Sequence, residues 1–99
     1  VFIRSETCVW AGLEIREIAS YAYKGSARPL PETCEKLLKE NARKKLGAWE
    51  FWDEQGVCDL VFVIKIPADA DAETIQTTAR GAAAEADAIE KILFRTDDL

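Results

Sequence analysis

Three cysteines, Cys8, Cys34 and Cys58, are the thiols of a chain that contains no histidine. Without an imidazole, Ser-His-Asp and Cys-His catalysis are excluded, together with every histidine metal site. The cysteines are widely spaced and form no CxxC pair, which makes a poor disulfide framework and a poor zinc site. They read as small apolar core residues in a reducing compartment, with the cytoplasm as the expected location. A redox or nucleophilic role would need a neighbour that stabilises the thiolate, and no local pattern supplies one.

The carboxylates are numerous, 18 Asp and Glu in 99 residues. Acid–base work needs two of them in different environments within one cleft, and spacing singles out no pair. Asp69, Asp71 and Glu73 read as a negative cluster at a helix N-terminus, where the dipole favours them. They lack the glycine-centred twelve-residue pattern of a calcium loop. There is no Walker loop and no GxGxxG. The sequence therefore points to no catalytic residue, no metal site and no cofactor, and the expectation is a protein that is not an enzyme.

The net charge of −5 argues against a sequence-independent nucleic-acid binder, whose affinity comes from basic side chains on phosphates. The longest apolar run, Leu60 to Ile64, is far too short for a bilayer core of about 30 Å, so no membrane partner is expected. No secretory signal pattern opens the chain. The chain contains no methionine, so residues are expected to precede Val1. An apolar content of 48% against 31% charged is the balance of a globular domain, and the length suits one such domain.

The elements that must position any site are clearest towards the end. From Asp71 to Leu93 the positions Ile75, Ala79, Ala82, Ala86, Ile89 and Leu93 recur at steps of three and four, one face of a helix. Asp71 is placed to cap it. Its alanine-rich face can lie close against a sheet, and close approach of another backbone is one reason to tolerate Gly81 in its interior. A second helix is predicted over Pro31–Leu46, with proline in the first turn and Gly47 as the C-terminal glycine. The Arg43-Lys44-Lys45 cluster suits the negative end of its dipole better than a nucleic-acid patch.

Between the helices, 48–53 and 58–66 are rich in aromatic and β-branched residues, with Glu54-Gln55-Gly56 as the turn of a hairpin. One face of strand 58–66 carries Cys58, Leu60, Phe62, Ile64 and Ile66, and should meet the helices. The other carries Asp59, Val61, Val63 and Lys65 and is apolar in its middle, which a solvated sheet face does not require. Val1 to Trp10 reads as a strand. Leu13 to Tyr23 fits helix and strand alike. Charge is uneven: residues 1–47 hold nine basic and six acidic groups, residues 48–99 four and twelve. That asymmetry could orient self-association or favour a basic partner.

Asn41 falls on the apolar stripe of the helix over 31–46. Its amide must find partners or cost about 1–3 kcal/mol, and main-chain groups that fix the helix to the sheet are the expected ones. Trp49 and Phe51 point to one side of their strand and Trp52 to the other. Trp10 and Trp52, with Val61 and Val63, are the candidate partner-binding residues, since aromatics serve as interface anchors.

The second half has an ordered series of weak motifs. Leu37-Leu38-Lys39-Glu40-Asn41-Ala42 leads to Leu46-Gly47-Ala48-Trp49-Glu50-Phe51. An Asp53-to-Gly56 turn follows, then Leu60-Val61-Phe62, Ile66-Pro67, Ala70-Asp71-Ala72-Glu73-Thr74 and Ala86-Asp87-Ala88-Ile89-Glu90. Over about residues 30 to 93 this resembles the YbjN and type III secretion chaperone-like superfamily. The resemblance implies a single α+β domain over 1–99, an antiparallel sheet packed against helices. Its order would be helix, three strands, helix, two strands, helix, with the first helix and strand preceding Val1. Val1–Trp10 and Leu13–Tyr23 then become the second and third strands.

The function expected on these grounds is non-enzymatic, protein-binding and chaperone-like. Apolar segments of a polypeptide client, or of a second copy in a homodimer, would be buried on the sheet face bearing Val61 and Val63. The alternative is a regulatory or sensory domain that binds a small ligand in an enclosed pocket.

Overall fold

The computed structural model describes residues 1–94, which run β1 (Phe2–Ile3), β2 (Cys8–Trp10), β3 (Leu13–Gly25), α1 (Pro31–Asn41), β4 (Ala48–Glu54), β5 (Val57–Pro67) and α2 (Ala72–Phe94). The class is α+β, with one five-stranded antiparallel sheet and two helices. Strand order is β1-β3-β5-β4, and β2 pairs with β3 on the same side as β1. The segment after Gly12 that fits both periodicities is a strand.

Two tight turns set the registers. Ala11 and Gly12 have φ of 52° and 80° between the paired residues Trp10 and Leu13. Gln55 and Gly56 have φ of 52° and 78° between Glu54 and Val57. Two central residues with positive φ are what a two-residue type I′ hairpin turn demands, because its twist matches that of the strands.

Val1–Trp10 is not one continuous strand. It leaves the ladder between Ile3 and Cys8, where the Arg16 side chain donates to the carbonyls of Arg4 (2.8 Å) and Ser5 (3.1 Å). The Arg4 N–H returns a bond to the Glu17 carbonyl at 3.0 Å.

β5 is the central strand, and its two faces decide the core. Leu60, Phe62, Ile64 and Ile66 meet Ile18 and Ala22 of β3, Trp49 of β4, Leu37 of α1, and Ala82, Ala86 and Ile89 of α2. Both helices therefore cover one face. Ala82 is fully buried, and the small side chains let α2 lie close on β3 and β5. The Asp71 carboxylate accepts the Thr74 N–H at 2.8 Å as the cap of α2. Leu93, which the spacing places on the same stripe, lies outside the residues whose side chains are described.

Three expectations about helices are corrected. α1 stops at Asn41, not Leu46, because i→i+3 bonds from Ala42, Arg43 and Lys44 tighten and end it. Gly47 is then not a helix cap but the entry to β4. Its φ is +87°, and a Cβ there would stand 2.7 Å from Ile64 Cγ1 and 2.8 Å from Phe62 Cζ. Gly81 meets no neighbouring backbone; a Cβ there would point into open space.

Candidate binding surface on the helix-free face of the sheet

The second face of the sheet is covered by side chains from three of its own strands. Phe2 of β1 pairs with Ala19 of β3, Tyr21 of β3 pairs with Val61 of β5, and Trp52 of β4 pairs with Asp59. Registered neighbours share a face, so the three rings converge. Their centroids lie 5.5 Å (Phe2–Tyr21), 6.0 Å (Tyr21–Trp52) and 6.5 Å (Phe2–Trp52) apart. Beneath them Ala19, Val61 and Val63 form a small second core.

Val61 is 0% and Val63 2% exposed, so neither offers contact surface in the folded chain. The apolar second face of β5 is answered from within the chain, by the rings of Phe2, Tyr21 and Trp52. Trp52 is half-buried among them, and its indole N–H donates to Glu50 Oε1 at 2.8 Å. Trp10 stands apart, 69% exposed.

Charge surrounds the rings. The Arg4 guanidinium lies 5.1 Å from the centre of a Trp52 ring, and the Lys24 ammonium 4.6 Å from that of Tyr21, both geometries favoured by the ring quadrupole. A row of ion pairs crosses the sheet: Arg4 to Glu17 at 3.3 Å, Glu17 to Lys65 at 3.7 Å, Lys65 to Glu50 at 4.0 Å.

That row separates two clefts on the same face. One, of about 580 Å³, lies over Tyr21 and Trp52 and is lined also by Arg4, Glu17, Lys24, Glu54, Gln55, Val57 and Asp59. The other, of about 500 Å³, lies at the β2–β3 hairpin and is lined by Trp10, Gly12, Leu13, Glu14, Ile15, Lys65, Pro67, Ala68 and Asp69.

Asp59 is the anomaly of the first cleft. It is 9% exposed, and its Oδ1 has no hydrogen-bond partner among the described residues. At the second cleft, Trp10 pairs with Leu13 across the hairpin, and Ile15 with Pro67. Trp10 and Leu13 are 69% and 59% exposed, and Val9, on the opposite face of the hairpin, 71%.

Asn41 does a structural task elsewhere. Its Oδ1 accepts the Trp49 N–H at 2.6 Å, and its Nδ2 donates to the Trp49 carbonyl at 3.2 Å. β4 is the outer strand of the sheet, so this amide stands where a further strand would pair. Alternation directs the main-chain groups of Phe51 and Asp53 outward as well. There Arg28 bonds Asp53 at 2.7 Å and lies 5.4 Å from the Phe51 ring centre, placing a charged side chain along the edge.

The cysteines do not share one environment. Cys58 is buried, Cys34 half-buried and Cys8 exposed, so only Cys58 is the core residue expected of all three. Among the described residues no cluster of three or more His, Cys, Asp or Glu has metal-holding geometry, and no helix is long and apolar enough to cross a membrane.

No family model, curated protein or solved structure matches this chain.

The ring residue Phe2 and the cleft residues Arg4, Tyr21, Lys24 and Asp59 were not among the candidates from sequence. Asp59 did carry a signal, a charge beside the apolar middle of the second face of β5. The others belong to segments whose strand register is set only by pairing.

Proposed function

We propose that this is a non-enzymatic, protein-binding domain of the chaperone-like kind. It would bury apolar side chains of a second polypeptide at the β2–β3 end of the helix-free face. The observation that carries the reading is the exposed cross-strand pair Trp10–Leu13 beside the apolar walls of Ile15 and Pro67. A tryptophan at 69% exposure forgoes burial that a partner would supply, and aromatics of this kind act as anchors. The order broken strand, strand, helix, two strands, helix supports the YbjN-like architecture. A second copy of the chain is the simplest partner and a polypeptide client the next.

The test is a Trp10→Ser, Leu13→Ser double variant, which should fold because both positions are exposed. Sedimentation equilibrium reads self-association, and suppression of aggregation of a chemically unfolded model protein reads client binding. The reading expects the parent chain to show at least one and the variant to lose it. A parent chain that is monomeric at high concentration and protects no client overturns it, as does a variant that behaves like the parent.

A second reading, small-ligand binding, has a specific observation behind it in the unpartnered Asp59 oxygen of the other cleft.

A further inference from the structure

The larger cleft of the helix-free face combines three features: two aromatic rings, an excess of carboxylates and a buried acceptor that has no donor among the described residues. Three anionic side chains, Glu17, Glu54 and Asp59, face two cationic ones, Arg4 and Lys24. Burying a carboxylate oxygen without a hydrogen bond is costly, so the position calls for a donor. Lys24 is the cross-strand neighbour of Asp59 on the same face. Its ammonium nevertheless lies 4.6 Å from the centre of the Tyr21 ring.

Resident cations already mark what the ring faces attract. Arg4 sits over Trp52 as Lys24 sits over Tyr21. A cation over an aromatic ring gains from the quadrupole, and gains more when water is excluded. The volume of about 580 Å³ falls in the range of small-molecule sites.

We infer that this cleft binds a small organic cation carrying N–H donors, with Asp59 Oδ1 accepting its proton donor and the rings of Tyr21 and Trp52 flanking its charge. Entry requires Lys24 to swing off the Tyr21 ring, so Lys24 acts as the displaceable occupant of the site. Arg4, tied to Glu17 at 3.3 Å, stays as the wall at the other end. An anion is disfavoured because three carboxylates line the same space.

The probes are butane-1,4-diammonium and guanidinium, with tetramethylammonium and acetate as controls, followed by the NMR shifts of the Trp52 indole N–H and the Asp59 amide. Saturable binding with Kd of roughly 1 mM or tighter is expected for the N–H donors. Tetramethylammonium, which can meet the rings but cannot donate to Asp59, should bind more weakly by about tenfold. Asp59→Asn should cost about tenfold with the fold kept, since the shape is unchanged.

Lys24→Ala, at an exposed position, should tighten binding several-fold by clearing the Tyr21 ring. The Trp10→Ser, Leu13→Ser variant should bind the probes as the parent does, which separates this site from the hairpin end. Absence of saturable shifts, equal binding of tetramethylammonium, or weaker binding by Lys24→Ala overturns the proposal. If Asp59→Asn fails to fold, the tetramethylammonium comparison and Lys24→Ala decide it.

Discussion

The side-chain amide of Asn41, the last residue of α1, takes both the N–H and the C=O of Trp49, the second residue of β4, at 2.6 and 3.2 Å. One residue thus ends a helix, ties it to the sheet and occupies the outer edge of β4. Asn41→Ala leaves two half-buried main-chain groups to find water. We expect a loss of about 1–3 kcal/mol in urea unfolding, with Asn41→Asp, which keeps only the acceptor, between the two. A loss below the error of the measurement would show that the pair contributes geometry and no stability.

The two glycines should respond in opposite directions. Gly81 lies in the exposed interior of α2 with nothing near its absent Cβ. Gly81→Ala should stabilise by about 0.5–1 kcal/mol, a rise in Tm of a few degrees. Gly47→Ala meets both a left-handed φ of +87° and side-chain atoms under 3 Å away, so it should destabilise. Its cost should exceed the roughly 1–2 kcal/mol of the backbone conformation alone. Thermal melts of the pair check both signs.

Thiol titration of the native protein should be heterogeneous. Cys8 is exposed and should react at once; Cys58 is 2% exposed and should react only as the protein opens. Mass spectrometry of partly labelled protein identifies the order. Fast labelling of Cys58 without denaturant would contradict its burial in β5.

The Asp71 carboxyl is held below the usual carboxylate range, first by its side-chain bond to Thr74 and then by the Thr74 main-chain N–H. A group whose folded pKa is depressed contributes stability above its unfolded pKa and loses it as pH falls through the folded one. The start of α2 should therefore fray below about pH 4, the ordinary range of an aspartate. The Thr74 amide shift should titrate at that lowered value, and Asp71→Ala should abolish the step.

Hydrogen exchange should rank β5 as the slowest strand. It is the inner strand between β3 and β4, and its residues from Cys58 to Ile64 are buried. Exchange there as fast as in β1 would contradict the sheet order.

Local patterns of period two and period 3.6 determined α2, β4 and β5 from the sequence alone, because a strand's alternation and a helix's stripe are carried within one segment. The same alternation showed that β5 is apolar on both faces and put Trp52 opposite Trp49. The need of the Asn41 amide for main-chain partners was legible too, since a polar group on an apolar stripe must be satisfied wherever it lies.

What covers Val61 and Val63 was decided by tertiary structure. Phe2, Tyr21 and Trp52 come from three strands far apart in sequence, and only cross-strand register brings their rings within 6.5 Å. Register also left Trp10 and Cys8 exposed at the hairpin end and buried Asp59 Oδ1 without a hydrogen-bond partner among the described residues. Pairing between distant strands depends on the whole sheet, so no single segment encodes it.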